Sequence, residues 1–150
     1  MLEIGFDLAF QVAQIAKCAG KEIMKIYATD FAVHSKNDHS PVTAADKIAE
    51  DVILSALLSD IGSKFPLVSE EAASEARPPL VDHKPFWLID PLDGTREFIN
   101  RNGEFTVNIA LIEEFSPLLG VVYIPAQKST YVGFSAGAYR VQDDLPPENI

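Results

Sequence analysis

Two aspartates three positions apart stand in the run Trp87-Leu88-Ile89-Asp90-Pro91-Leu92-Asp93-Gly94-Thr95. Phe86 to Ile89 is continuously apolar, as in a strand covered on both faces, so Asp90 falls at that strand's C-terminal edge. Pro91 and Gly94 are expected to fold the chain back tightly and aim Asp93 at the same place. Carboxylates this close repel unless a proton or a cation lies between them. Mg²⁺ suits the position, being a hard ion that takes oxygen ligands and keeps several waters. The Leu92 carbonyl lies between the two acids and could supply a further oxygen. Glu70 follows another short strand, Phe65-Pro66-Leu67-Val68, and is a third carboxylate able to converge there. Taken alone, Asp-Pro and Asp-Gly are ordinary turn formers, and an Asx-type turn accounts for them. Two acids, a glycine and a hydroxyl at the end of a buried strand together favour the metal.

Gly94 and Thr95 are expected to open a short helix through Arg96, Glu97, Phe98 and Ile99. N–H groups at a helix start make an anion pocket, and Gly94 lets a phosphate approach closely. Cations on one side and amide donors on the other suit in-line displacement at phosphorus. Cys18 falls on a helix, no serine sits in a Gly-x-Ser-x-Gly elbow, and there is no Gly-x-x-x-x-Gly-Lys loop. Water is then the attacking group, and the chemistry is hydrolysis. Asp46 is a candidate base for that water, although spacing alone favours a capping role near a helix N-terminus. Both roles coexist if the Thr95 hydroxyl bridges Asp46 to a metal-bound water. Lys36 is either a surface lysine or a side chain that neutralises substrate charge. Glu71 is divided between an outer acid of the site and a solvated neighbour. His34, His39 and His83 lack metal-ligand spacing and read as surface residues.

These residues need elements to carry them. Leu8, Val12, Ile15, Ala19, Ile23 and Ile26 recur at steps of three and four, which predicts an amphipathic helix ending near Tyr27. Phe31 to Lys36 reads as a short strand before a polar turn over 37–41. A second helix is expected from Thr43, a hydroxyl cap three residues before Asp46, with Ile48, Val52, Ala56 and Leu57 buried and Gly62 past its end. Ala72 to Pro85 reads as a surface loop. Thr106 to Ile112, Leu118 to Tyr123 and Thr130 to Phe134 are β-rich and punctuated by Pro117, Gly120, Pro125, Gly133 and Gly137, as in an antiparallel meander. Helices followed by strands give an α+β class, with the helices layered on a sheet.

Composition narrows the function classes. The 150 residues are 47% hydrophobic and 23% charged, ordinary globular usage that fits one domain. The net charge of −10 argues against nucleic acid and acidic lipid as partners. No apolar run approaches the ~20 residues of a transmembrane helix. Glu3 stands where a signal peptide carries basic residues, and the lone Cys18 suits a reducing cytosol.

Three blocks carry a resemblance. Pro41-Val42-Thr43-Ala44-Ala45-Asp46, Ser69-Glu70-Glu71 and the run from Trp87 to Thr95 resemble the lithium-sensitive, Mg²⁺-dependent phosphatases of the inositol monophosphatase superfamily. The continuation from Arg96 through Asn108 to Ile112 is similar to the bacterial CysQ branch, the 3'(2'),5'-bisphosphate nucleotidases. The resemblance implies that Glu70, Asp90, Asp93 and the Leu92 carbonyl are ligands for two or three Mg²⁺ ions, with Li⁺ inhibitory. It implies that Asp46 and Thr95 activate the water, and that Asp93, Gly94, Thr95 and Arg96 hold the scissile phosphate. The implied architecture is the layered αβαβα sugar-phosphatase fold. The implied reaction is removal of the 3'-phosphate from adenosine 3',5'-bisphosphate, recycling a by-product of sulfate activation. The alternatives are an inositol or sugar phosphatase, or an inactive metal-binding fragment.

The resemblance also implies a second lobe with a Trp-Asp motif, and this sequence has no Trp-Asp pair. The expectation is therefore an N-terminal lobe over 1–141, a tail or truncated linker over 142–150, and no C-terminal lobe. The lobe's uncovered face would favour self-association. The expected partner is a small phosphorylated nucleotide, and the expected location is the cytoplasm or the inner face of its membrane.

Overall fold

The computed structural model describes residues 3–29, 41–69, 84–143 and 145–150. Helix α1 (Phe6–Tyr27) buries Leu8, Ala9, Val12, Ala13, Ile15, Ala16, Ala19, Gly20 and Ile23, the stripe the three-and-four spacing predicts. Helix α2 (Pro41–Ala56) starts two residues before the expected Thr43 cap. Proline suits a first helical turn, because its ring presets φ and its missing N–H would have had no partner there. The buried stripe of α2 is also displaced from expectation. Val42, Ala45, Ala49 and Ile53 are buried and Leu57 is buried as expected, whereas Ile48 is 36% exposed. Small alanines on both helices let α1 and α2 pack closely, so shape outweighs side-chain hydrophobicity in choosing that face. A π-helical turn, Leu57–Ile61, ends at Gly62 with φ +115°, where the expected stop lies.

The sheet has seven strands in sequence order: β1 (Leu67–Ser69), β2 (Phe86–Asp93), β3 (Thr106–Glu113), β4 (Ser116–Ile124), β5 (Ser129–Phe134), β6 (Gly137–Gln142) and β7 (Glu148–Asn149). The expected meander is present from β2 onward, but β1 runs parallel to β2, so the sheet is mixed. The segment read as a tail carries β7, which pairs Asn149 with Tyr139 and Glu148 with Arg140. A short helix, α3 (Thr95–Ile99), follows β2 as expected.

Both long helices cover one face of the sheet, α1 against β3, β4 and β5 and α2 against β2. Trp87, Ile89, Val107, Ile109, Leu111, Val121, Tyr123 and Val132 point into that core. The opposite face is open among the described residues: Leu88 is 43%, Val122 39% and Tyr131 38% exposed. Among the described residues, only one of the two faces of β2 expected to be covered is covered. Its apolar run supplies one core face and one open face. The predicted strand over Phe31 to Lys36, the turn after it, and the loop over Ala72 to His83 lie outside the described residues.

Candidate metal and phosphate site

Asp90 and Asp93 are three residues apart, and in a regular strand an odd spacing puts side chains on opposite faces. The ladder between β2 and β3 removes that difficulty. Asp90 pairs with Asn108 and Asp93 pairs with Thr106, so three steps on β2 answer two on β3. The extra residue is a β-bulge, a device that re-aims a side chain. Asn108 and Thr106 are two apart and share a face, so the bulge returns Asp93 to the face of Asp90. The tight reversal expected at Pro91 is therefore corrected: β2 runs on to Asp93, and the bulge does the aiming. Asn108 spans the result, its Nδ2 donating to Asp93 Oδ2 at 3.3 Å.

Leu92 is 3% exposed and pins the bulge to the core by its side chain. Gly94 turns the chain into α3 with φ +94° and ψ +51°, a left-handed conformation that side chains disfavour. A Cβ there would lie 3.2 Å from Phe105 Cα and 3.4 Å from the Glu104 carbonyl oxygen, both backbone atoms. Phe98 N–H donates to the Gly94 carbonyl at 2.9 Å, closing the first turn of α3. Helix geometry leaves the first N–H groups without carbonyl partners inside the helix, and they belong to Thr95, Arg96 and Glu97. Thr95 is half-buried and Arg96 exposed.

Asp46 lies on α2, which packs against both β2 and α3. It is 8% exposed, a rare burial for a carboxylate. One turn further along α2, Glu50 accepts a hydrogen bond from Ser69 Oγ at 3.1 Å. Ser69 ends the described part of β1, opposite Ile89 and so one residue short of Asp90's level. The structure therefore brings Asp90, Leu92, Asp93, Gly94, Thr95 and Arg96 to one corner, with Asp46 on the helix packed behind it. Glu70, Glu71 and Lys36 lie outside the described residues.

Two residues here escaped the sequence reading. Glu50 and Asn108 are polar positions within regular elements, where they read as surface. An asparagine inside a β-rich run is the one available signal, because strands disfavour it.

The donors suit a hard cation. Among the described residues no group of three or more His, Cys, Asp or Glu could hold a metal ion. Mg²⁺ does not require one, because it is held by one or two carboxylates plus waters and substrate phosphate. Two carboxylates on one strand face, beside a helix start able to take an anion, meet that requirement.

Comparison with known proteins bears on the family and the fold. The model of the inositol monophosphatase family matches residues 7–148. The chain is 48% identical over 152 residues to the 3'(2'),5'-bisphosphate nucleotidase CysQ of Salmonella typhimurium, covering 91% of this chain and 60% of that protein. It is 35% identical to the corresponding Haemophilus influenzae protein over 96% of this chain and 54% of that one. The crystal structure of CysQ from Bacteroides thetaiotaomicron superposes with a TM-score of 0.76 at 36% identity, over 96% of this chain and 53% of the other. Inositol monophosphatase from Anabaena gives 0.71 at 27% identity, over 89% and 46%. The chain thus spans about half to three-fifths of the length of these relatives.

Proposed function

The chain belongs to the inositol monophosphatase family, and from that premise we propose that it forms the N-terminal lobe of a Mg²⁺-dependent phosphomonoesterase acting on adenosine 3',5'-bisphosphate. The observation that carries the substrate is the likeness to the Salmonella nucleotidase across nearly all of this chain. The wider phosphatase reading rests on Asp90 and Asp93 sharing a face beside the start of α3.

In this reading Asp90, Asp93, the Leu92 carbonyl and Glu70 hold two or three Mg²⁺ ions, with Glu71 beside them. The ions supply positive charge at the phosphate and make bound water a stronger acid. The chain's own groups do the rest. The α3 N–H groups and Arg96 orient the phosphate, and Lys36 offsets further substrate charge. Water attacks phosphorus, its proton passing through the Thr95 hydroxyl to Asp46, while the bond to the 3'-oxygen breaks and that oxygen takes a proton from solvent water. The products are the 5'-monophosphate and inorganic phosphate. Li⁺ is expected to inhibit.

We assign the remainder of the site to a second lobe seated on the open sheet face. Support comes from the row Leu88, Ala110, Gly120, Gly133 and Ala138, which the register lines up across five strands. A Cβ at Gly120 or Gly133 would touch nothing within 4 Å, so the backbone there is open to close approach. Without that cover the lobe would self-associate through this face. The exposed lone Cys18 suits a reducing compartment, and we place the enzyme in the cytoplasm. No described helix is long and apolar enough to cross a membrane.

The test is steady-state phosphate release by the full-length protein with Mg²⁺. Adenosine 3',5'-bisphosphate should exceed inositol 1-phosphate in kcat/KM by at least tenfold, and Asp93→Asn should abolish turnover without unfolding. A reversed preference would move the protein to the sugar phosphatases. Full activity in Asp93→Asn would remove the metal reading.

A further inference from the structure

We propose that Asn108 is a positioning residue for the cation site, fixing the Asp93 carboxylate so that one of its oxygens faces the ion. The proposal deepens the metal reading above and rests on it. Asn108 occupies the middle of β3, between the buried Val107 and Ile109, on the open face beside Val122. Nothing in strand formation favours an amide there. Its backbone pairs in register with Asp90, and its Nδ2 donates to Asp93 Oδ2 at 3.3 Å, so the residue stands between the two acids of the bulge and its side chain holds the second.

The amide has one stable orientation. Its Oδ1 is buried and has no partner among the described residues. Turning the amide over would set that oxygen against the carboxylate, two acceptors facing without a proton between them. Asn108 therefore donates, and it occupies Oδ2. Asp93 Oδ1 is left for the cation, and the carboxylate cannot rotate without losing the bond. Partners that orient metal-binding carboxylates in this way are worth ~10–100-fold in metal affinity.

Mn²⁺ binding, followed by loss of the free-ion electron paramagnetic resonance signal, reads this without any turnover. Asn108→Leu keeps similar bulk on an already apolar face and removes the donor. In the full-length protein it should weaken Mn²⁺ by about tenfold or more. Asn108→Gln retains an amide donor and should recover most of that loss. Asn108→Val, a good strand former without a donor, replaces Asn108→Leu if the latter melts early, and it should weaken Mn²⁺ to the same extent. Unchanged Mn²⁺ affinity in a folded Asn108→Leu protein overturns the proposal, as does a lowered melting temperature with affinity intact. A wild-type protein that takes up no Mn²⁺ overturns the metal reading itself, and this assignment with it.

Discussion

Ser69 Oγ donates to Glu50 Oε2 at 3.1 Å, fastening the described end of β1 to α2 one helical turn after Asp46. The bond is partly buried, and its acceptor is a carboxylate, so losing the donor leaves an oxygen without a partner. Hydrogen bonds to charged groups are worth about 1.5–3 kcal/mol, the lower end applying where water reaches. Ser69→Ala should cost about 1–2 kcal/mol, lowering the melting temperature by a few degrees in a chain of this size. Paired with Glu50→Ala in a double-mutant cycle, it should show coupling above ~0.5 kcal/mol. Strictly additive losses would mean that α2 and β1 are held by packing alone.

Gly94 is the sharpest backbone constraint at the site. A methyl group there meets φ +94° and two backbone neighbours that cannot swing away, Phe105 Cα and the Glu104 carbonyl. Gly94→Ala should therefore cost ~1–3 kcal/mol and shift the corner that carries Asp93 and Thr95. A displacement near 1 Å is enough to cost about 100-fold in turnover. Thermal melting and kcat/KM of the full-length protein measure the two effects, and the rate should fall far more than the stability. A variant with normal activity would show that the corner tolerates movement.

The parts of the fold that could be read from sequence are those where a strong period repeats. The stripe of α1 keeps one phase from Leu8 to Ile23, and Gly62 and Gly94 mark their stops because few residues accept positive φ. The buried stripe of α2 lies one position from the one hydrophobicity predicts, because Ile48 outranks Ala45 and Ala49 in hydrophobicity whereas the packing selects for small size. The bulge between Asp90 and Asp93 has no sequence mark of its own. It exists in the pairing with β3, a partner that chain order does not reveal, and Asn108 was missed for the same reason. The site's residue types were legible. The means by which two acids at odd spacing share a face was not.

Arg101 joins the site's far side to the end of α1. Its guanidinium donates to the Tyr27 carbonyl at 2.9 Å and the Thr29 carbonyl at 2.5 Å, and lies 5.7 Å from the Tyr27 ring centre. These carbonyls close a helix C-terminus, where a cation is favoured. Tyr27 in turn packs against Phe98 and Phe105, so Arg101 locks α3 and the entry to β3 onto α1. Arg101→Ala should lose ~1–2 kcal/mol, seen as a lower urea midpoint. Arg101→Lys should recover less than half, because a lysine cannot fork to two carbonyls. Equal stability of the Lys variant and the wild type would reduce the contact to simple charge.

Tyr123 gives the fold an alkaline limit. Burial pushes its phenol up to about 12 from 10.0, and the nearby Asp143 carboxylate adds to the effect. The folded state then holds this proton more tightly than the unfolded chain does. The stabilisation is complete below pH ~10 and is lost as pH rises through ~12, amounting to ~2 kcal/mol. Neutral-range stability is untouched by this group. The ring also lies against Gly20 of α1, where an added methyl would collide with it, so the phenol has little room to move toward solvent. Tyr123→Phe keeps the ring and removes the proton. Urea unfolding at pH 8 and pH 11 should show a smaller drop between the two for Tyr123→Phe than for wild type. Identical drops would mean that Tyr123 ionises freely in the folded protein.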